Sequence, residues 1–106
     1  MKIKIIQTTT NSIKIAESIS ELLVKNNISP CVQIISNVKS VYQWEDKVEH
    51  SSEILLLIKT IPENVQKCRD TILRRHNYDT PELIVMDGYI LDDNYQAWFM
   101  EHCQEI

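Results

Sequence analysis

Glycine is nearly absent: Gly88 is the only one in 106 residues. Such a chain has no Gly-rich turn to cradle a phosphate and no G-x-S-x-G elbow to expose a nucleophile. Cysteine is scarce as well. Cys31, Cys68 and Cys103 are odd in number and widely spaced, with no C-x-x-C pair, so neither a disulfide framework nor a preformed zinc site is signalled. No basic run or stripe offsets the net charge of −4, which comes from 11 basic and 15 acidic side chains. Nucleic-acid binders present a basic face that neutralises phosphates, so that partner class is disfavoured, and a membrane surface with it. Long apolar runs are also missing; none approaches the roughly 20 residues that span a bilayer. The first residues, MKIKIIQTTT, lack the long apolar stretch and small-residue cleavage site of a signal peptide, and the expected compartment is the cytoplasm.

What remains is ordinary for a soluble globular protein, with 43% apolar and 25% charged residues. The length fits a single domain, 1–106, able to bury a core without disulfide or metal staples. Residues 2–8 set Ile3 and Ile5 against Lys2 and Lys4, which reads as a strand. Asn11 or Ser12 can cap a helix whose apolar positions Ile13, Ala16, Ile19, Leu22 and Leu23 recur at helical spacing; Asn26-Asn27 and Pro30 end it. Alternation over 31–44 places Val32, Ile34, Val38, Tyr42 and Trp44 on one face. Glu45-Asp46 then turns the chain, and 47–60 returns through the aliphatic run Ile54 to Ile58. Pro62 opens a helix reaching about His76, 77–81 is a loop, and 82–86 is a fourth strand. Asp92 or Asp93 starts a last helix with Tyr95, Trp98, Phe99, His102 and Ile106 on one face. The order predicts an α+β, ferredoxin-like βαββαβ fold with a long β2–β3 hairpin and a C-terminal helix.

The hairpin predicts assembly. Fourteen residues of strand reach roughly 46 Å, against a diameter near 35 Å for a folded chain of this size. A projecting two-stranded ribbon is marginal alone in water, and its edges invite pairing. Docking of identical ribbons in a closed homo-oligomer satisfies both conditions.

Several segments resemble one known family. They are Cys31-Val32-Gln33-Ile34-Ile35, Ser40 to Lys47 (SVYQWEDK), Glu53, Lys59-Thr60, His76 to Ile84 (HNYDTPELI), and Tyr95-Gln96-Ala97-Trp98. In order and spacing they are similar to the CutA family, known as divalent-cation tolerance proteins. The resemblance implies a ferredoxin-like protomer, a homotrimer built through strand pairing between subunits, and a role in divalent metal (copper) tolerance. Three positions depart from the family pattern. Asp46 stands where glycine is common in the turn, Asn77 where proline usually follows the loop histidine, and Gln7 where some members carry a cysteine linked to copper binding. An amide is a poor ligand for a soft metal, so the last departure weakens the case for copper.

His76, Asp79 and Glu82 form the best polar cluster and are the candidate ligands for a divalent ion such as copper or zinc. Their plainer reading is a helix-exit loop tied down by its own hydrogen bonds. A His102–Cys103 pair near the C-terminus is the alternative metal site. Lys59, Tyr42, Trp44, Glu45 and Tyr78 are candidates for an intersubunit cleft or interface. Lys59 could meet Glu82 or Asp79 or bind a small anion, or it could be a snorkelling strand-end charge. Aromatics on a docking ribbon are commonly interface core. No catalytic constellation assembles, and a non-enzyme is expected. Besides the metal-tolerance trimer, two function classes stay open: a small-molecule or anion-sensing trimer with clefts between subunits, and a structural oligomer that anchors a protein partner.

Overall fold

The alternating N-terminal run becomes strand β1, Lys2–Thr10, in the computed structural model, which describes residues 1–104. It outruns the sequence alternation by two residues because Thr9 and Thr10 stay paired with Leu55 and Ile54. Ser12 caps helix α1, Ile13–Lys25, its hydroxyl accepting from the Ile15 amide at 3.3 Å. That bond satisfies one of the amides left free at a helix start. Ala16, Ile19 and Leu23 share one helical face and are fully buried. Asn27 closes the helix with φ 57°, after which the Ile28 and Ser29 amides both return to the Leu23 carbonyl.

Strands β2, Cys31–Trp44, and β3, Lys47–Thr60, follow. Pro62 opens a short 3-10 turn, Pro62–Asn64, that runs into helix α2, Val65–Arg75. Strand β4 is Ile84–Tyr89, displaced toward the C-terminus from the expected 82–86. Lys2, Ile3 and Lys4 offer it partners as far as Tyr89. Gly88 faces Ile3, and a Cβ there would stand 3.1 Å from the Ile5 Cδ1, so the single glycine marks close packing. Helix α3, Asp93–Glu101, is capped by Asp92, whose carboxylate accepts from the Tyr95 amide at 2.8 Å. Phe99 is fully buried, Tyr95 and Trp98 are partly exposed, and His102 is the exposed C-cap; Ile106 lies outside the described residues.

The sheet order is β2-β3-β1-β4 with every neighbour antiparallel, which is the expected ferredoxin-like arrangement. Helices α1 and α2 cover one face: Ile6, Leu56 and Ile58 pack with Ala16, Ile19, Leu23, Cys68 and Ile72. A smaller cluster at one end of the sheet joins Phe99 and Cys103 to Ile3 and Ile61. Among the described residues no helix is long and apolar enough to cross a membrane.

The hairpin projects as expected, and the protomer is 47 Å long but only 26 by 20 Å across. β1 accompanies β3 only from Ile54 onward, so Val38–Trp44 and Lys47–Glu53 stand as a free two-stranded ribbon. One expectation fails within it. Ile35 pairs with Leu55 but Val38 pairs with Glu53, so β2 carries one extra residue, a bulge with Asn37 at φ 62°. Because side chains alternate with period two, that residue reverses the faces beyond it. Val32 and Ile34 point toward the helices, whereas Val38, Tyr42 and Trp44 share the opposite, outer face with Leu55 and Glu53. That outer face also carries Ile84 and Met86, 45% and 38% exposed. The aliphatic run of β3 is therefore covered by the protomer's own helices on one side only.

Candidate ligand cleft

The bulge makes a site possible at the base of the ribbon. Tyr42, Trp44, Ser51 and Glu53 reach the outer face from the ribbon, beside Thr9 and Asn11 at the end of β1. The loop after α2 supplies the opposite wall with Tyr78, Asp79, Thr80 and Glu82. Together they enclose a cleft of about 530 Å³.

Hydrogen bonds to β1 hold the loop in place. His76, the C-cap of α2, leaves the helix with extended backbone, φ −68° and ψ 145°, which directs its ring back toward β1. The Tyr78 amide donates to His76 Nδ1 at 3.0 Å, so that nitrogen is unprotonated, and Nε2–H donates to the Thr9 carbonyl at 2.8 Å. The ring also packs against Tyr78, with centroids 4.9 Å apart. Asn77 accepts from the Thr10 hydroxyl at 2.6 Å and donates to Asn11 Oδ1 at 2.7 Å. Hydrogen bonds thus do at this position what a proline's rigidity would do. Gln7 donates to Glu82 at 3.0 Å, so the residue standing in place of a thiol braces the loop from the sheet.

Glu53 is the least expected member. It is only 8% exposed, and its Oε2 accepts from the Tyr78 phenol at 2.7 Å. Burial, and secondly this carboxylate, push the Tyr78 phenol well above its ordinary range, so it remains a protonated donor. Among the described residues no lysine, arginine or histidine pairs with Glu53, Asp79 or Glu82. The sequence offered two signals for Glu53, its place among the residues that carry the family resemblance and its position directly before the aliphatic run of β3.

The expected metal cluster does not assemble. Asp79 and Glu82 line the cleft, but both ring nitrogens of His76 are spent on Thr9 and Tyr78. Among the described residues no group of three or more His, Cys, Asp or Glu side chains could hold a metal ion. The His102–Cys103 alternative separates too. His102 is exposed and bonds the Trp98 carbonyl, whereas the Cys103 thiol is buried beside the Ile28 carbonyl and Asn64. Lys59 is absent from the cleft lining, and Glu82 meets Gln7 instead of that lysine. Glu45 sits at the exposed ribbon tip. Tyr42, Trp44 and Tyr78 do converge.

A four-stranded ferredoxin-like subunit with an elongated β2–β3 ribbon, a C-terminal helix and a cleft at the ribbon's base is a distinctive architecture. Residues 4–102 match the family described as CutA1 divalent ion tolerance protein, and the chain belongs to that family. The CutA1 of Ehrlichia chaffeensis, described as a divalent ion tolerance protein, is 34% identical and superposes with a TM-score of 0.88 over 94% of each chain. The CutA1 of Oryza sativa, at 24% identity, shares the fold with a TM-score of 0.93 over 100% of this chain and 97% of that one. The divalent-cation tolerance protein CutA of Pectobacterium atrosepticum is 32% identical over 83 residues, 78% of this chain and 76% of that protein. Other relatives are longer: the match to human protein CutA spans 88% of this chain but 52% of that protein.

Proposed function

We propose that the protein serves divalent-cation tolerance as a non-catalytic homotrimeric sensor, in which each ribbon lies along a neighbouring subunit and each cleft takes a small ligand. The observation that carries this reading is uncovered apolar surface. Val41 and Val48 on the ribbon are 58% and 63% exposed, and Ile35 and Ile84 on the sheet are 43% and 45% exposed. β2 and β4 are both free sheet edges, and a closed ring pairs or covers every edge. The family likeness supplies the number three. Three free thiols, Cys31, Cys68 and Cys103, suit a reducing, cytoplasmic setting.

A resident copper or zinc ion does not fit the residues present. Glu53, Asp79 and Glu82 offer the cleft oxygen atoms only, whereas these ions favour imidazole and thiolate. The sensing reading is therefore favoured over that of a carrier with a preformed metal centre. Three carboxylates with no ion-pair partner among the described residues also repel an anion, which disfavours the anion-sensing version. Light scattering at micromolar concentration tests the assembly. The expected mass is three times the 12.4 kDa protomer, and a stable monomer or dimer overturns the reading.

A further inference from the structure

We infer that the cleft recognises an alkylammonium ion, and a short polyamine best, held between the ribbon aromatics and three separated carboxylates; this rests on the cleft's being the working site of the proposed sensor. Glu53 gives the strongest reason. Its Oε2 is bonded by Tyr78, and among the described residues no hydrogen bond reaches its other oxygen. Among the described residues the only fully enclosed side-chain nitrogen or oxygen without a partner is the Thr8 hydroxyl, so the free oxygen of Glu53 keeps some exposure, and Glu53 lines the cleft. A carboxylate this buried, and without an ion-pair partner among the described residues, calls for a cation.

The walls narrow the class of cation. Asp79 and Glu82 add two more carboxylates, yet the three do not converge as a metal's ligands must. A metal draws oxygens to within about 2.0–2.6 Å of one point. A chain bearing several ammonium groups instead reaches acids that lie apart. The face reversal at the bulge puts Tyr42 and Trp44 on the same face as Glu53, further along the ribbon in the same cleft, and aromatic faces attract a cation and shelter its methylene stem. About 530 Å³ lies within the ordinary range for small-molecule sites, and it exceeds what a bare ion needs. Carboxylates bond N–H groups, so a primary amine should outbind a quaternary one.

Titration calorimetry and thermal shift on the full chain at low salt, with spermidine, putrescine and tetramethylammonium as probes, test the inference. Spermidine should bind saturably and raise the melting temperature, putrescine should bind more weakly, and tetramethylammonium weakest. Glu53→Gln should weaken spermidine about tenfold, as loss of a charged hydrogen-bond partner does. Trp44→Leu should weaken it severalfold with no change in net charge, which separates the cleft from general attraction of a polyamine to an acidic protein. Glu63→Gln, on the exposed turn before α2, should change nothing. If Glu53→Gln does not fold, the exposed Glu82→Gln takes its place with the same expectation. No saturable spermidine binding, or equal affinity in the Glu53 and Trp44 variants and the parent, overturns the inference. So does a copper or calcium ion that binds more tightly and is lost with Glu53→Gln. Loss of assembly with Glu53→Gln and no amine bound would mean that a lysine of a second copy fills the cleft, which also overturns it. Light scattering on the same samples separates the two levels: an intact trimer that ignores amines sinks only this inference, and a monomer sinks the assembly reading as well.

Discussion

Tyr78→Phe removes one oxygen atom and keeps the ring against His76. Among the described residues the lost phenol is the only hydrogen-bond donor that reaches the Glu53 carboxylate. Burial and the carboxylate hold it protonated, so the bond persists to high pH. A hydrogen bond to a charged acceptor contributes about 1.5–3 kcal/mol. Cleft water can replace part of it, which places the expected loss near the lower bound, about 1.5 kcal/mol. For a domain of this size, that lowers the melting temperature by roughly 6–12 °C. The assay is thermal and urea unfolding at matched protein concentration, because assembly makes apparent stability depend on concentration. The urea midpoint should fall with an unchanged slope, the sign of altered stability at constant exposed surface. A double-mutant cycle with Glu53→Gln should show that the two losses overlap. A melting temperature within a degree of the parent, or losses that simply add, would refute the claim that the phenol and the buried carboxylate act as a pair.

Thr8→Val should stabilise the protein by about 1 kcal/mol, since the Thr8 hydroxyl is enclosed and has no partner; a lower urea midpoint would show that it has one. Asp46→Gly should add about 0.5–1 kcal/mol, because Glu45 and Asp46 both hold positive φ, 51° and 62°, as a primed hairpin turn demands. A destabilised variant in chemical denaturation would contradict it. Burial pushes the Cys68 thiol from 9.0 up to about 12, so the folded state holds that proton more tightly than the unfolded chain does. Stability should then be intact below pH 9 and fall as pH rises from 9 toward about 12, by up to about 1.4 kcal/mol per unit, with Tyr78 adding in the same sense. Urea midpoints measured from pH 8 to 11 check this, and a flat profile would contradict it.

The elements were legible because their periods are clean. Ile3 and Ile5 against Lys2 and Lys4 marked a strand, and Ala16, Ile19 and Leu23 a helix. Ribbon length also followed directly, from counting residues either side of Glu45-Asp46. The bulge did not, because Ile34, Val38 and Tyr42 keep an even spacing that looks like one uninterrupted face. The hint was Asn37, a residue type that tolerates the left-handed conformation it adopts. One extra residue there decides whether Tyr42 and Trp44 meet the helices or the cleft, so the site was less legible than the fold. His76, Asp79 and Glu82 are the best polar cluster in the sequence, although their spacing matches no recognised zinc signature and a helix-exit loop is the plainer reading. Backbone conformation decided for the loop, since the extended C-cap sends His76 to Thr9 and leaves the two acids to the cleft.

The loop histidine braces the cleft wall, with both ring nitrogens engaged by Thr9 and Tyr78 and neither left for a metal. Nitrogen NMR of histidine-labelled protein during a zinc titration tests it most directly. The His76 ring should be protonated at Nε2, with Nδ1 an acceptor, and neither resonance should be displaced by stoichiometric zinc. Loss of the Nε2 proton with a zinc-dependent shift of that nitrogen would contradict it, and would put His76 back at a metal centre.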